Sequence, residues 1–258
     1  MTVKPDWSSY QKVLQTVSPV TVYGKVNHVV GMTIEACGID ACVGELCDIY
    51  MRGSDRPVKA EVIGFRDDCI VLMLLGDVQG IGPGSRSPGL KRKAMVALGE
   101  GMLGRVVDGL GNPIDGKGPF CVEKGGSLYA DPINPLQRGR IKQPLDVGIK
   151  AINSLLTCGK GQRMGIFSGS GVGKSVLLGM IARNTTADVN VIALIGERGR
   201  EVREFIEKDL GEEGLHRSVV VVATSEQSPL LRMKGALVAT TIAEYFRDKG
   251  NDVLFMMD

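Results

Sequence analysis

The sequence lacks a dominant charge. Lys and Arg total 31 against 29 Asp and Glu, leaving +2 over 258 residues, too little for a broad field that would hold DNA, RNA or an anionic membrane. The one dense basic run, Lys91-Arg92-Lys93, reads as a short solvated patch beside a Gly/Pro-rich linker. Long apolar runs are missing as well. No window approaches the ~20 uninterrupted apolar residues of a membrane span. Met1 is followed by Thr2-Val3-Lys4-Pro5-Asp6 without an apolar stretch, so no secretory signal is predicted. The six cysteines, at 37, 42, 47, 69, 121 and 158, contain no Cys-x-x-Cys pair and no clustered His, so neither a zinc site nor a redox dithiol is indicated. They read as reduced, mostly buried thiols. Together these absences predict a cytosolic protein, with a membrane machine as its docking place.

What is present suffices for a substantial core: 43% of positions are hydrophobic, and the length suggests roughly two domains. Trp7, Tyr10, Val13, Leu14 and Val17 recur at steps of three and four, one face of a short amphipathic helix ending before Pro19, here assigned to residues 1–18. Its partner is either the following domain or another protein. From about 20 to 78, short β-type runs alternate with Gly, Asp and Pro; Val58-Lys59-Ala60-Glu61-Val62 has period two and Ile70 to Leu75 follows. This spacing predicts a small β-barrel over 19–92. The stretch Gly80 to Gly89 reads as a linker that continues neither strand nor helix, with the second domain, 93–258, beginning near Ala94.

Beyond that point apolar strands alternate with amphipathic helices, the pattern of a mostly parallel sheet joined by crossovers. Four strands are predicted, Met164 to Phe167, Val191 to Ile195, Val219 to Ala223 and Val253 to Met257, each apolar enough to be buried on both faces. Val202, Phe205, Ile206 and Leu210 form one helical stripe, Glu204 and Lys208 are spaced to pair, and Gly211 suits a left-handed helix end. Another helix is predicted from Ser228 as N-cap and Pro229 as first residue, running to Phe246 before Gly250.

The segment Ser168-Gly169-Ser170-Gly171-Val172-Gly173-Lys174-Ser175 opens the predicted helix Val176 to Arg183, the context of a phosphate-binding loop. Glycines 169, 171 and 173 let backbone N–H groups turn toward phosphate oxygens, and a helix N-terminus adds partial positive charge. The binding stretch is therefore Ser170, Gly171, Val172, Gly173, Lys174, Ser175 and Val176. Lys174 supplies a point charge to the β and γ phosphates of a nucleoside triphosphate, and the Ser175 hydroxyl completes the coordination of a magnesium ion. Ser168 departs from the usual motif, which has Gly at that position; Ser is small enough to leave the loop intact.

Ligands of open parallel sheets lie off the carboxyl ends of the strands. Two of those ends are acidic. Gly196-Glu197-Arg198-Gly199-Arg200-Glu201 follows the strand that ends at Ile195, putting Glu197 in place to polarise an attacking water; acids at helix starts are also favoured by the macrodipole, so position alone leaves both readings open. The strand Val253 to Met257 ends at Asp258, an arrangement in which Asp holds magnesium through water. A sheet that stopped there would be unfinished, which predicts a piece of a longer protein.

Three stretches carry a resemblance: Leu103 to Gly116 (LGRVVDGLGNPIDG), Gly161 to Met180 around the phosphate loop, and Gly196-Glu197-Arg198-Gly199-Arg200-Glu201-Val202. They resemble the ATPases of bacterial flagellar and type III protein export, relatives of the catalytic subunit of rotary ATP synthases, over nearly the whole chain from Val20. The resemblance implies a β-barrel, a RecA-like P-loop domain, and a helical domain absent here, assembled as a homohexamer. It implies Mg-ATP hydrolysis that drives protein export, with Glu197 and Lys174 catalytic, Arg198 a nearby polar contact, and Glu201 and Asp258 outer-shell magnesium groups. A neighbouring subunit's arginine and an adenine-contacting aromatic fall beyond Asp258. The implied partners are a stator-like regulator, which would meet the Trp7 to Val17 stripe, export-gate proteins, substrates and chaperones, at the cytoplasmic face of the inner membrane. Tyr23-Gly24-Lys25-Val26, Glu35-Ala36-Cys37-Gly38 and Ala187-Asp188-Val189-Asn190-Val191 resemble the flagellar branch more than the injectisome branch.

Two other classes compete. A non-catalytic nucleotide-binding ring subunit would lack the carboxylate at 197. A ring-shaped RNA translocase would carry stacking aromatics and basic residues on its first domain, whereas residues 20–90 offer only Tyr23, Tyr50 and Phe65.

Overall fold

The computed structural model describes residues 7, 22–51, 53, 56–76, 79–169 and 171–258. The predicted helix over 7–17 lies outside them except for Trp7, and so does Ser170 of the phosphate loop. The chain divides into two compact units, the first ending at Lys93 and the second beginning at Ala94.

The first unit is a closed six-stranded antiparallel barrel. Its strands are β1 (Tyr23–Val30), β2 (Thr33–Cys37), β3 (Glu45–Tyr50), β4 (Pro57–Arg66), β5 (Cys69–Leu74) and β6 (Arg86–Lys93). Around the barrel they run β1-β2-β5-β4-β3-β6, and β6 closes back on β1. The period-two pattern is physical: Ile34 and Ala36 of β2 and Ile70, Leu72 and Leu74 of β5 point inward and are buried, while their neighbours face out. Closure leaves no strand edge exposed.

Two expectations fail in this unit. The predicted linker up to Gly89 is a loop only as far as Ser85; from Arg86 the chain is β6, the strand that closes the barrel, and Lys91-Arg92-Lys93 belongs to it. Gly and Pro within the run concealed a strand whose hydrogen bonds come from β1 and β3. The cysteines are not all reduced or mostly buried either. Register sets Cys37 opposite Cys69, their Cα atoms 4.3 Å apart, and the two form a disulfide. Cys42 and Cys121 are exposed, Cys47 is buried and Cys158 is partly exposed. Sequence spacing does not encode strand pairing across a barrel, so the pair was invisible beforehand.

The second unit holds β7 (Met95–Leu98), β8 (Arg105–Asp108), β9 (Lys124–Ser127), β10 (Pro144–Leu145), α1 (Lys150–Leu155), β11 (Cys158–Gly159), α2 (Lys174–Asn184), β12 (Val189–Ile195), α3 (Gly199–Glu204), α4 (Gly211–His216), β13 (Ser218–Ala223), α5 (Pro229–Asp248) and β14 (Val253–Met257). Its central sheet is parallel in the order β14-β12-β13-β8. One face packs Ile192, Leu194, Val220, Val222 and Met256 against Leu178, Ile181 and Ala182 of α2 and Phe205 and Leu210. The other face carries α5, so close that a Cβ on Gly235 would stand 3.0 Å from both Ala223 Cβ and Ile195 Cδ1. Strands β12 and β13 are buried along almost their whole length, as their apolar runs require.

The other two predicted strands behave differently. Met164 to Phe167 pairs with no strand among the described residues; it is irregular and exposed, with Phe167 96% exposed. Apolar residues make a strand only where a neighbour takes its backbone groups, and β8, which the sequence did not single out, takes the fourth place in the sheet instead. Strand β14 sits at the sheet's end among the described residues and leaves Phe255 and Met257 exposed rather than buried on both faces.

Helix signals held at α5. The Ser228 hydroxyl accepts from Leu231 N at 3.2 Å, Pro229 is the first residue, and Gly250 follows with φ +93°. The stripe from Val202 to Leu210 is also helical, but its second half is a π-helical turn (Phe205–Leu210) and the chain continues past Gly211, at φ +65°, into α4 instead of stopping. Lys208 Nζ and Glu204 Oε1 pair at 2.7 Å. Among the described residues no helix is long and apolar enough to cross a membrane.

Candidate functional site

The glycine run turns through Gly171 at φ +78° and Gly173 at φ +94°, backbone that an L side chain adopts only with strain. Crowding plays no part, since a Cβ on Gly169, Gly171 or Gly173 would meet nothing within 4 Å. Helix α2 then starts at Lys174 with no side chain capping its first turn, leaving those N–H groups free of side-chain acceptors. Val172, Ser175 and Val176 lie exposed beside Lys174 on this turn.

The far end of α2 is anchored by two residues that sequence reasoning did not pick out. The Arg217 guanidinium donates through Nη1 to the carbonyls of Thr185 (2.9 Å) and Ala187 (3.2 Å), and through Nη2 to those of Ala182 and Arg183 (both 2.8 Å). Asn190, buried on β12, donates to Ala182 O at 2.9 Å. A cation against the orphan carbonyls of a helix end matches their charge. The only advance signal was the basic residue just before an apolar strand.

Three acids stand where parallel strands end. Asp258 prolongs β14 by one residue: its N–H donates to Ala193 O (2.9 Å) and its carbonyl accepts from Ile195 N (2.7 Å). Its carboxylate accepts from the Lys174 ammonium and is only 11% exposed. Glu197 follows β12 after the tight Gly196, at φ +88°. Burial pushes the Glu197 carboxyl above the usual carboxylate range; its hydrogen bond with Glu201 and the negative charges of Asp258 and Glu201 push the same way, while Lys174 opposes them. Glu201 lies in the first turn of α3, and Arg198 approaches it at 3.5 Å with a largely exposed side chain. The structure therefore gathers Lys174, Glu197, Glu201 and Asp258 and adds Arg198 at the rim, while the Ser175 hydroxyl is exposed on the first turn of α2 and does not hydrogen-bond to the acids. A further cation went unnoticed in the sequence: Arg232 of α5 lies over Gly196, its Nη1 3.9 Å from where a Cβ would be.

Along the outer side of β14 runs a cavity of about 730 Å³, lined at Lys174 and Asp258 and continuing past Leu178, Ile181, Met164 and Ile166. The site thus joins one long-chain cation, a bare helix start and a group of carboxylates beside a cleft large enough for a small organic anion.

Parallel strands whose carboxyl ends turn acids toward a helix that begins on Gly-Lys-Ser make the second unit a P-loop nucleotide-binding domain. Residues 148–258 match the ATP synthase alpha/beta family nucleotide-binding domain, and residues 26–86 match the beta-barrel domain of the same family. The chain belongs to the ATP synthase alpha/beta family. It is 55% identical over 240 residues to the flagellum-specific ATP synthase of Bacillus subtilis, a match covering 92% of this chain and 54% of that protein. It is 47% identical to the type 3 secretion system ATPase of Xanthomonas euvesicatoria, over 97% of this chain and 57% of that one. Among solved structures, the assembled ATPase EscN in complex with its central stalk EscO, from the type III secretion system of enteropathogenic E. coli, superposes with a TM-score of 0.83 at 45% identity, covering 91% of this chain and 57% of that chain. The chain spans about half the length of the curated relatives it matches.

Proposed function

We propose that this chain carries the ATP-hydrolysing part of a ring-forming cytoplasmic ATPase that energises flagellar, type III protein export. The observation that carries the reading is the meeting of Lys174 with Glu197, Glu201 and Asp258 at the strand ends. The names of the relatives support the process, and EscN, solved as an assembled ATPase in complex with its central stalk, supports a ring, here a homohexamer.

In this reading the N–H groups of Ser170, Gly171, Val172, Gly173 and Val176 and the start of α2 cradle the phosphates of ATP. Lys174 exchanges the Asp258 carboxylate for the β and γ oxygens, drawing the terminal phosphate to the acids. Glu197 orients and polarises the attacking water, and a carboxyl lifted by burial is a better proton acceptor than an ordinary one. Arg198 steadies the rim through Glu201. The donor set fits Mg²⁺: a hydroxyl at Ser175 and carboxylates at Glu201 and Asp258 are the hard oxygen ligands that ion takes directly or through water, and the acids outnumber the cations beside them. When bound, the ion neutralises charge on the phosphate oxygens. The proposed partners are ATP, a stator-like regulator, the export gate, and export substrates with their chaperones; nucleic acid is not among them, and membrane association is peripheral.

An injectisome role is the second reading, favoured by the solved type III secretion structures. Counting flagellar filaments by electron microscopy after deletion of the gene separates the two. Loss of filaments, restored by the wild type and not by Glu197→Gln, is the expected result. Persistent filaments move the role to an injectisome or another rotary machine.

A further inference from the structure

We propose that Cys37 and Cys69 form a thiol–disulfide exchange site on the outer face of the barrel, whose oxidant is a small anionic disulfide of the glutathione class. The inference is independent of the ATPase reading and rests on the barrel alone.

Directly paired residues of antiparallel strands put their side chains on the same face. Lys25 of β1 is paired with Cys37 of β2, Cys37 with Cys69 of β5, and Cys69 with Arg66 of β4. Four neighbouring strands therefore carry a row Lys25–Cys37–Cys69–Arg66. Its face is the outer one, because Ala36 and Ile70, the neighbours along the chain, are buried in the barrel core. Both sulfurs are half-buried, and Lys25 and Arg66 are exposed. Arg66 also pairs with Glu35 on this face at 2.5 Å, and the exposed Asp67 and Asp68 form the turn between Arg66 and Cys69, so Lys25 and Arg66 act on the sulfurs through their places in the row and not through a net positive charge. Asn27 Nδ2 donates to Cys37 Sγ at 2.8 Å. A donated hydrogen bond and flanking cations stabilise the thiolate, the form that attacks disulfides, and draw an anionic oxidant.

The exchange balances in two steps. The Cys37 thiolate attacks one sulfur of the oxidised glutathione, the S–S bond breaks, and one glutathione thiolate leaves. The Cys69 thiolate then attacks Cys37 Sγ in that mixed disulfide and expels the second. The protein thiols give up two electrons and two protons, and one disulfide becomes two thiols. Reduction reverses the same path, since the bond lies on an accessible face. Four registered pairs besides Cys37 and Cys69 join β2 to β5, so the barrel does not depend on the bond. The remaining cysteines offer no competing pair among the described residues: Cys47 lies in the barrel core, and Cys42, Cys121 and Cys158 form no disulfide.

The test equilibrates the full chain with reduced and oxidised glutathione over a range of ratios, quenches it in acid, alkylates the free thiols and maps the peptides without reduction. The expected result is a graded and reversible loss of two alkylated thiols, recovered as a Cys37–Cys69 linked peptide, with Cys69→Ser stopping at a glutathione adduct on Cys37. Joint charge reversal, Lys25→Glu with Arg66→Glu, should slow oxidation by glutathione disulfide about tenfold at low salt and leave oxidation by neutral hydroxyethyl disulfide unchanged. A bond that survives the most reducing ratio, thiols that never pair, pairing with Cys42 or Cys121 instead, or charge reversal without effect would each overturn the proposal.

Discussion

Lys174 and Asp258, 84 positions apart in sequence, share a hydrogen bond that ties the phosphate loop to the end of β14. The same ammonium acts on Glu197, where it alone opposes the upward push on that carboxyl. One cation thus serves two acids until a ligand with more negative charge arrives. Lys174→Ala should therefore raise the dissociation constant for Mg-ATP. Charge-assisted contacts of this kind contribute about 2–3 kcal/mol, roughly 30- to 150-fold in affinity. Calorimetric titration of the two proteins measures it, and undiminished binding would contradict the phosphate-loop assignment.

Glu197→Gln tests a separate function. The amide keeps the shape of the side chain and removes the carboxylate, so nucleotide should still bind while turnover in the full-length protein falls about a hundredfold or more, as for loss of a general base. Phosphate release under saturating ATP is the measurement. Turnover within a factor of two of wild type would take Glu197 out of the mechanism.

Much of the site was legible because its chemistry is local. Gly171, Gly173 and Lys174 lie within eight consecutive residues, and Glu197 and Asp258 each follow an apolar run that the structure makes a strand, although position alone left Glu197 open to a helix-start reading. Register was not legible. The Cys37–Cys69 pair, the closure of the barrel by β6 and the place of β8 in the parallel sheet depend on which strand lies beside which, a choice made by tertiary packing. The run Met164 to Phe167 shows the converse: its composition is that of a strand, and without a hydrogen-bonded neighbour among the described residues it is exposed chain. Arg217 escaped notice because its partners are carbonyls of a helix end, which composition never reveals.

Gly179 of α2 marks a close approach that fixes the phosphate-loop helix. A Cβ there would stand 2.5 Å from the carbonyl oxygen of Asp209 and 2.7 Å from its carbonyl carbon and Cβ. Backbone cannot swing aside as a side chain does, so Gly179→Ala should force α2 away from the π-helical turn at a cost of about 1–3 kcal/mol, roughly 5 °C in melting temperature. Gly169→Ala is the control: no atom lies within 4 Å of its Cβ position, and its melting temperature should be unchanged. Equal melting of both variants would remove the packing argument.

The ion pair of Arg105 and Asp115 predicts how the second unit responds to acid. Arg105 Nε meets Asp115 Oδ2 at 2.6 Å and Nη2 meets Oδ1 at 2.8 Å, both side chains nearly buried. The Arg105 hydrogen bond holds the Asp115 carboxyl well below its ordinary value of 3.8, and the N–H groups of Lys117 and Val106 add to it against the opposing effect of burial. A folded-state value below the unfolded one means that ionised Asp115 stabilises the fold fully above about pH 4, and that this contribution is lost as pH falls from there. Asp115→Asn leaves a nearly buried guanidinium without its counter-charge, so it should cost about 3 kcal/mol at neutral pH. Because the variant has no carboxyl to protonate, its stability should fall less steeply than that of the wild type between pH 5 and pH 3, to be read from urea midpoints across that range. Parallel pH curves for the two proteins would show that the acid sensitivity arises at other carboxylates, of which Glu123, held down to about 2 first by Lys249, is the next to replace.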